Sequence, residues 1–517
     1  MYKYFSALML PLLRSPPLRP KKTDKPEDTQ KLRDHNDFIH CLADFSVELD
    51  KTYFAKLCEE LQQAIHSQQE ARVVVLTGAM LSDLIYQGYS HSSLYGWHKK
   101  FLTIPSDYSF SQNLQFMLRI LRGQRPQFRV TLQLSGTDKL SDIGTQGRFT
   151  FSQRPTAPAD ADERTRRFFR PYHLRTFATC EIQSTDHEAA AFQARWEVES
   201  LLDVMRLEFQ RNPVTIESEV HACRIDDNRA YLVRVKSVLP NPVVEMTHED
   251  FAQFAERVEG VLCNHDIEGD TKEQLRASIR QYRIGRDSLR PQDKCLHWWM
   301  GLEALAYSGN GNVGDIVVHN VARVLVCGYL HRLLQDMVST LKHCRINWSE
   351  DLEKSSGCET LDSLSEAHLL RVLEDGQIRP ILWRECVAHP IIEYHWERLG
   401  TALESPTTTG DLLRRHLDHV EWQVCRLYRI RCCIVHGSEV KHTLYPFAAN
   451  LEYYLKQLIL FVINILSSHQ HIRSRKELFL RASLSFDRKI AFLNNTSDPD
   501  AVTRAVFEDI VLHDSLA

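Results

Sequence analysis

Several signatures of familiar chemistry are missing from this chain of 517 residues. There is no G-x-x-x-x-G-K-[ST] loop to cradle phosphates with backbone N–H groups, which argues against ATP or GTP hydrolysis of the P-loop kind. No G-x-G-x-x-G follows a strand, no H-E-x-x-H supplies paired metal-binding histidines, and no G-x-S-x-G presents a nucleophilic serine. Metal-dependent hydrolysis and serine chemistry therefore lack support, and no metal or cofactor is expected. The 13 cysteines include no C-x-x-C pair, a pattern that fits reduced, mostly buried thiols better than disulfides or a zinc site. Positive charge is not in excess: a net charge of -4 leaves room only for a local basic groove, not a globally basic nucleic-acid binder.

Long apolar runs are scarce too. "LILFVINIL" (458–466) is about half of the roughly 20 residues that a membrane helix needs. "FSALMLPLL" (5–13) follows Lys3 as a signal peptide would, but it contains Pro11 and lacks a small-x-small cleavage site. It reads as a first strand or an unstructured lead-in. A soluble, cytoplasmic protein with no membrane partner is expected.

What is present is the ordinary composition of a globular protein, 43% hydrophobic and 25% charged, in a chain long enough for two or three domains. Residues 1–36 end in a Pro-, Lys- and Asp-rich stretch and read as a flexible lead-in. Residues 37–285 carry mixed signals. "FAKLCEELQQAIHSQQ" (54–69) has helical spacing, whereas "ARVVVLTGAML" (71–81) reads as a buried strand running into a turn. "FRVTLQL" (128–134) and "GRFTFSQ" (147–153) alternate as strands do, and "AAFQARWEVESLLDVMRLEF" (190–209) returns to helix. "EVHACRI" and "AYLVRVKSVL" flank "DDNR" as a hairpin would. After about residue 247 strand signals nearly vanish. Thr247 and Asp270 open helical patterns, and further helices are expected at 292–307, 313–337, 362–375, 380–399, 411–436 and 446–468. The fold class expected is an α+β N-terminal region followed by an all-α helical bundle over 286–485, with a tail at 486–517.

The most informative segment is "DLLRRHLDHVEWQVCRLYRIRCCIVHG" (411–437). Leu413, Leu417, Val420, Val424, Leu427, Ile430 and Ile434 form the stripe of a core-facing helix. At about 100° per residue, Arg431 falls within that stripe, where a cation must be paired or open into a cleft. His436 projects well away from it, nearer Arg429. Either the last turn deforms to join Arg431 and His436, or a second chain supplies the partner. Gly437 is a suitable stop.

Arg431 and His436 fit R-x-x-x-x-H, and "LYRIRCCIVHG" resembles the motif helix of ApeA-like HEPN (higher eukaryotes and prokaryotes nucleotide-binding) proteins of bacterial anti-phage defence. "RPQDKCLHWWMGLEALAY" (290–307) resembles that group's aromatic-rich upstream helix ending in L-E-A-L, and "HNVARVLV" the helix after it. The likeness spans about 275–470; no motif of the preceding region contributes. It implies an all-α HEPN domain, metal-independent endoribonuclease activity on RNA such as tRNA, and a role in abortive infection, with a phage-derived trigger acting at the N-terminal domain. Arg431 and His436 would be the catalytic pair, in a cleft built across a homodimer. Many catalytic members carry Asn or Asp directly after the motif arginine; here Cys432 stands there.

Glu303, in "GLEAL", either anchors Arg431 or helps orient His436, or is an exposed or core-edge acid. Tyr428 either touches RNA or packs, and Arg429 is a second cation at a spacing the family also uses. In "RTRRFFRPYHLR" (164–175), Arg166, Arg167, Phe168 and Arg170 combine cations with a ring suited to RNA, although solvated arginines in a loop are the plainer reading. "HIRSRKELFLR" (471–481) reads as a solvated helix face. The alternative to an enzyme is a non-catalytic HEPN module serving dimerisation, nucleotide binding or partner binding.

Overall fold

The computed structural model describes residues 52–507, with breaks at 104–109, 124, 137–138, 159–160, 172–173, 207–213, 238, 242–246, 310, 438–443, 470 and 497–500, and at scattered positions between 387 and 404. The expected lead-in at 1–36 lies outside the described residues. The N-terminal half is α+β, and the C-terminal half is helical.

The described residues open with helices α1 (52–66), α2 (Glu70–Tyr86), α3 (His91–Thr103) and α4 (Phe110–Arg122). The strand expected at 71–81 is thus helix α2. Its β-branched run imitates a strand, but Leu76, Met80 and Leu84 recur at helical spacing and pack with Leu57, Leu61, Leu114 and Leu118. Tertiary burial of that stripe overrides the local β preference.

A six-stranded sheet comes next, built from β1 (Gln127–Ser135), β2 (Thr145–Gln146), β3 (Phe149–Ser152), β4 (Arg175–Gln183), β5 (Thr215–Arg224) and β6 (Ala230–Arg234) in the order β2-β3-β4-β1-β5-β6. All its pairings are antiparallel, and β5 and β6 form the hairpin expected around "DDNR". Between β3 and β4 lies a short helix, α5 (Glu163–Phe168); between β4 and β5 lies α6 (His187–Arg206). Period-2 alternation sends Val130, Leu132, Leu134, Ala178, Cys180, Val220 and Ala222 into one core with Ala190, Ala194, Val198 and Leu202 of α6. The β1–β5 register shifts between Leu132 and Leu134. There the Arg195 guanidinium of α6 donates to the carbonyls of Glu217 at 2.6 Å and Ile216 at 3.2 Å.

On the opposite face of the sheet, Phe168 and Phe169 cover Phe177. His221 sits among these rings, only 3% exposed, and its Nε2 has no hydrogen-bond partner. Burial pushes its pKa down to about 4, a shift that Asp162 opposes. The unfolded chain therefore takes up this proton at a pH where the fold does not. Stability from this site is complete above the ordinary histidine value of about 6.5 and is lost as pH falls towards the folded value, by roughly 2 kcal/mol at about pH 5. In urea titrations, His221→Phe should lose less stability than wild type between pH 7.5 and about 5, by roughly that amount. Parallel losses in the two proteins would sink the assignment.

The helical part comprises α7 (His248–Cys263), α8 (Gly269–Asp287), α9 (Pro291–Ala306), α10 (Val313–Cys327), α11 (Tyr329–Cys344), α12 (Glu350–Ser356), α13 (Glu366–Glu374), α14 (Arg379–Cys386), α15 (Pro406–Val435), α16 (Tyr445–Ser468), α17 (Arg475–Asn495) and α18 (Ala501–Phe507). Thr247 caps α7 through a reciprocal box with Asp250, as expected, whereas α8 begins at Gly269 behind Glu268. The single helix expected at 313–337 is two, α10 and α11, bent by 46° at Gly328. Arg332 donates to the Leu325 carbonyl across the bend. No single helix among the described residues is long and apolar enough to cross a membrane.

Helices α7 and α8 begin before residue 286, yet Val261, Ile267 and Leu275 belong to the same core as α9, α15 and α16. Packing puts them with the helical part. Of the tail expected from 486, the described residues form the second half of α17 and then α18, with Phe486, Leu493 and Ala505 in that core, and 508–517 lie outside the described residues. The solvated helix face expected around 475 also holds a buried cation: Arg475 binds Asp270 at 3.2 Å and the Leu305 carbonyl at 3.1 Å, capping the end of α9.

A polar joint ties the segment after β6 to this helical body. Buried Lys294 donates to Ser237 Oγ at 2.8 Å and to the carbonyls of Gly285 and Arg286, both at 3.2 Å. Burial lowers its pKa to about 8. Buried Glu452 accepts from the Tyr282 hydroxyl at 2.5 Å and from the Asn241 amide. Leaving any of these groups buried and unpaired would destabilise the fold, so the joint is specific as well as apolar.

Candidate functional site

Three elements build the site: α9, the first turn of α10 and the last turns of α15. Helix α15 starts sharply because Ser405 and Thr408 form a capping box and Pro406 occupies its first position. The stripe from Leu413 to Ile430 is buried as expected. Helical hydrogen bonding persists to the end, with His436 N–H donating to the Cys432 carbonyl at 2.9 Å. Gly437 then takes a left-handed conformation, φ 70°, and stops the helix.

Arg431 lies half-buried, its side chain 28% exposed, with Nη2 4.0 Å from Glu303 Oε2. Its Nε is buried and has no hydrogen-bond partner. The same Glu303 oxygen accepts from the indole N–H of Trp299, one helical turn earlier, at 3.0 Å. The Trp299 ring lies 5.4 Å from that of Tyr428, centroid to centroid. Tyr428 in turn lies flat against α10 at Gly314, where an added Cβ would come within 2.8 Å of the Tyr428 ring. Electrostatic repulsion from the neighbouring Cys432 thiol is the main reason that the Tyr428 hydroxyl's pKa is raised; burial adds to the effect and Arg431 opposes it. Arg431, Glu303, Tyr428 and Cys432 thus form one cluster.

His436 is exposed at the helix end, and no hydrogen bond links it to Arg431 among the described residues. The last turn does not deform to bring the two together. Arg429 is exposed as well. The N-terminal RNA candidates separate. Arg166, Arg167 and Arg170 are exposed at and just after α5, Arg167 lying 3.9 Å from Glu163. Phe168 is 4% exposed and packs on Phe169 and Phe177, so it has no face to offer a base. Its aromatic neighbours in sequence signalled a core, not a stacking platform.

Two residues of this region escaped the sequence reading. Arg426 is a second arginine on the α15 stripe, 3% exposed, with its guanidinium 4.3 Å from the Phe447 ring. Its position between Val424 and Leu427 was the available signal. Trp299 was visible only as part of an aromatic run, and which of two adjacent indoles faced Glu303 depended on helix phase. A cavity of about 270 Å³ lies elsewhere, among Phe54, Tyr89, Leu121 and Arg125, and shares no residue with the cluster.

Comparison with known protein families, curated proteins and solved structures yields no match to this chain.

Proposed function

We propose that this chain is a metal-independent endoribonuclease of the HEPN type, with Arg431 and His436 as its catalytic pair. The observation that carries the reading is the placement of Arg431: a half-buried guanidinium held beside Glu303 on the core-facing stripe, with an exposed histidine closing the same helix. Burial without a close hydrogen-bonded partner leaves the planar fork free to take phosphate oxygens. An exposed imidazole within reach of the substrate can act as a general base or acid.

In the reaction, an imidazole accepts the ribose 2′-hydroxyl proton while the 2′-oxygen bonds to the adjacent phosphorus. The P–O5′ bond breaks, and the departing 5′-oxygen is protonated by a second imidazole or by water. Arg431 stabilises the charge on the non-bridging oxygens. The products are a 2′,3′-cyclic phosphate and a 5′-hydroxyl.

Because α15 stays helical to Val435, its arginine and histidine diverge within one chain, which favours a cleft shared by two copies of the HEPN domain. In this reading the α+β half receives a phage-derived trigger, and RNA such as tRNA is cut in abortive infection. The same divergence also suits the second reading, a non-catalytic module for dimerisation, nucleotide binding or partner binding. Incubating the purified full chain with total RNA in EDTA and mapping the ends separates the two. New cyclic-phosphate and 5′-hydroxyl ends are expected; intact RNA, with or without infected-cell extract, would overturn the enzyme reading.

A further inference from the structure

We infer that Trp299 is a positioning residue for Arg431, a role that rests on the ribonuclease reading and deepens it. Trp299 is fully buried, and its indole N–H is its only polar group. That N–H goes to Glu303 Oε2 at 3.0 Å, and the same oxygen faces Arg431 Nη2 at 4.0 Å. A half-exposed glutamate with three rotatable bonds would otherwise sample several rotamers. The hydrogen bond selects the one that turns its charge towards Arg431. The indole also lies against the ring of Tyr428, which sits three residues before Arg431 on α15. One rigid side chain thus braces both neighbours of the guanidinium.

Trp298 supplies an internal control. It is equally buried and also makes one hydrogen bond, to the Tyr282 carbonyl at 3.1 Å, but that bond leads towards α8 and away from Glu303. Trp298→Phe and Trp299→Phe each delete one buried N–H bond from adjacent positions of one helix. They should therefore lower the melting temperature by similar amounts.

Only Trp299→Phe should lower kcat for RNA cleavage, by about tenfold, with KM unchanged within about twofold. Combined with Glu303→Gln it should add little further loss, because both changes remove the same restraint. Equal loss of kcat in the two tryptophan variants, or wild-type kcat in Trp299→Phe, would overturn the inference. The Arg431 Nε–H resonance in ¹⁵N-arginine-labelled protein, assigned by its loss in Arg431→Lys, provides a readout that needs no cleavage. It should move in Trp299→Phe and stay in place in Trp298→Phe. If wild type cuts no RNA yet that resonance moves, the positioning role stands and the ribonuclease reading fails.

Discussion

Arg431→Ala and His436→Ala should each reduce RNA cleavage by about 10²- to 10³-fold, the range for removing a transition-state charge stabiliser or a general acid–base group. His436 makes the cleaner test. It is exposed at the helix terminus and uses only its backbone in the fold, so its replacement should leave melting unchanged within about 0.5 kcal/mol. Arg431 is half-buried, so its alanine variant needs a stability control; Arg431→Lys keeps charge and stem but lacks the fork, and should recover little activity. The two inactive variants can also be mixed. If the cleft is shared between copies, co-refolded Arg431→Ala and His436→Ala chains recover cleavage that neither shows alone. Full activity in His436→Ala would end the proposed chemistry.

Some of this was legible in the sequence because its cause is local. The α15 stripe, the Thr247 cap, strand β1 and the β5–β6 hairpin each arise from periodicity or capping over a few residues, and each appears where expected. The costly placement of Arg431 was equally readable, since a cation at a stripe position demands a cleft or partner. What stayed hidden depended on distant contacts. Helix α2 looked like a strand because its burial against α1 and α4 cannot be seen in its own residues. Phe168 looked like an RNA contact until Phe177, brought in by β4, gave it a core to join. The bend at Gly328 leaves the apolar pattern of α10 and α11 continuous, so periodicity alone reads one helix. At the site itself, Glu303 was legible as an acid in an apolar setting. The indole that orients it was not, because two adjacent tryptophans differ only in helix phase.

The largest stability effect should come from one methyl group. Gly285 on α8 faces α9 so closely that an added Cβ would stand 2.5 Å from Trp298 Nε1 and 2.7 Å from its Cδ1. The indole cannot yield easily: it has no exposed surface, its N–H is committed to the Tyr282 carbonyl, and Lys294 sits 5.4 Å from its ring. Relief would require α8 and α9 to separate, and Gly285→Ala should therefore cost about 3 kcal/mol in urea titration despite alanine's better helix propensity. Gly260 on α7 gives the contrast, with nothing within 4 Å of an added Cβ. Gly260→Ala should be neutral or stabilise by up to about 1 kcal/mol. Gly301→Ala should fall between the two, because its added Cβ would meet a movable tip, Leu455 Cδ2, at 2.7 Å. The consequence reaches the site because α9 carries Trp298 on one face and Trp299 with Glu303 on another. Displacing α9 to admit the methyl should lower cleavage together with stability, whereas Gly260→Ala should change neither adversely. A Gly285→Ala protein that melts like wild type would show that α8 and α9 part at no cost to admit the methyl, and would overturn this prediction.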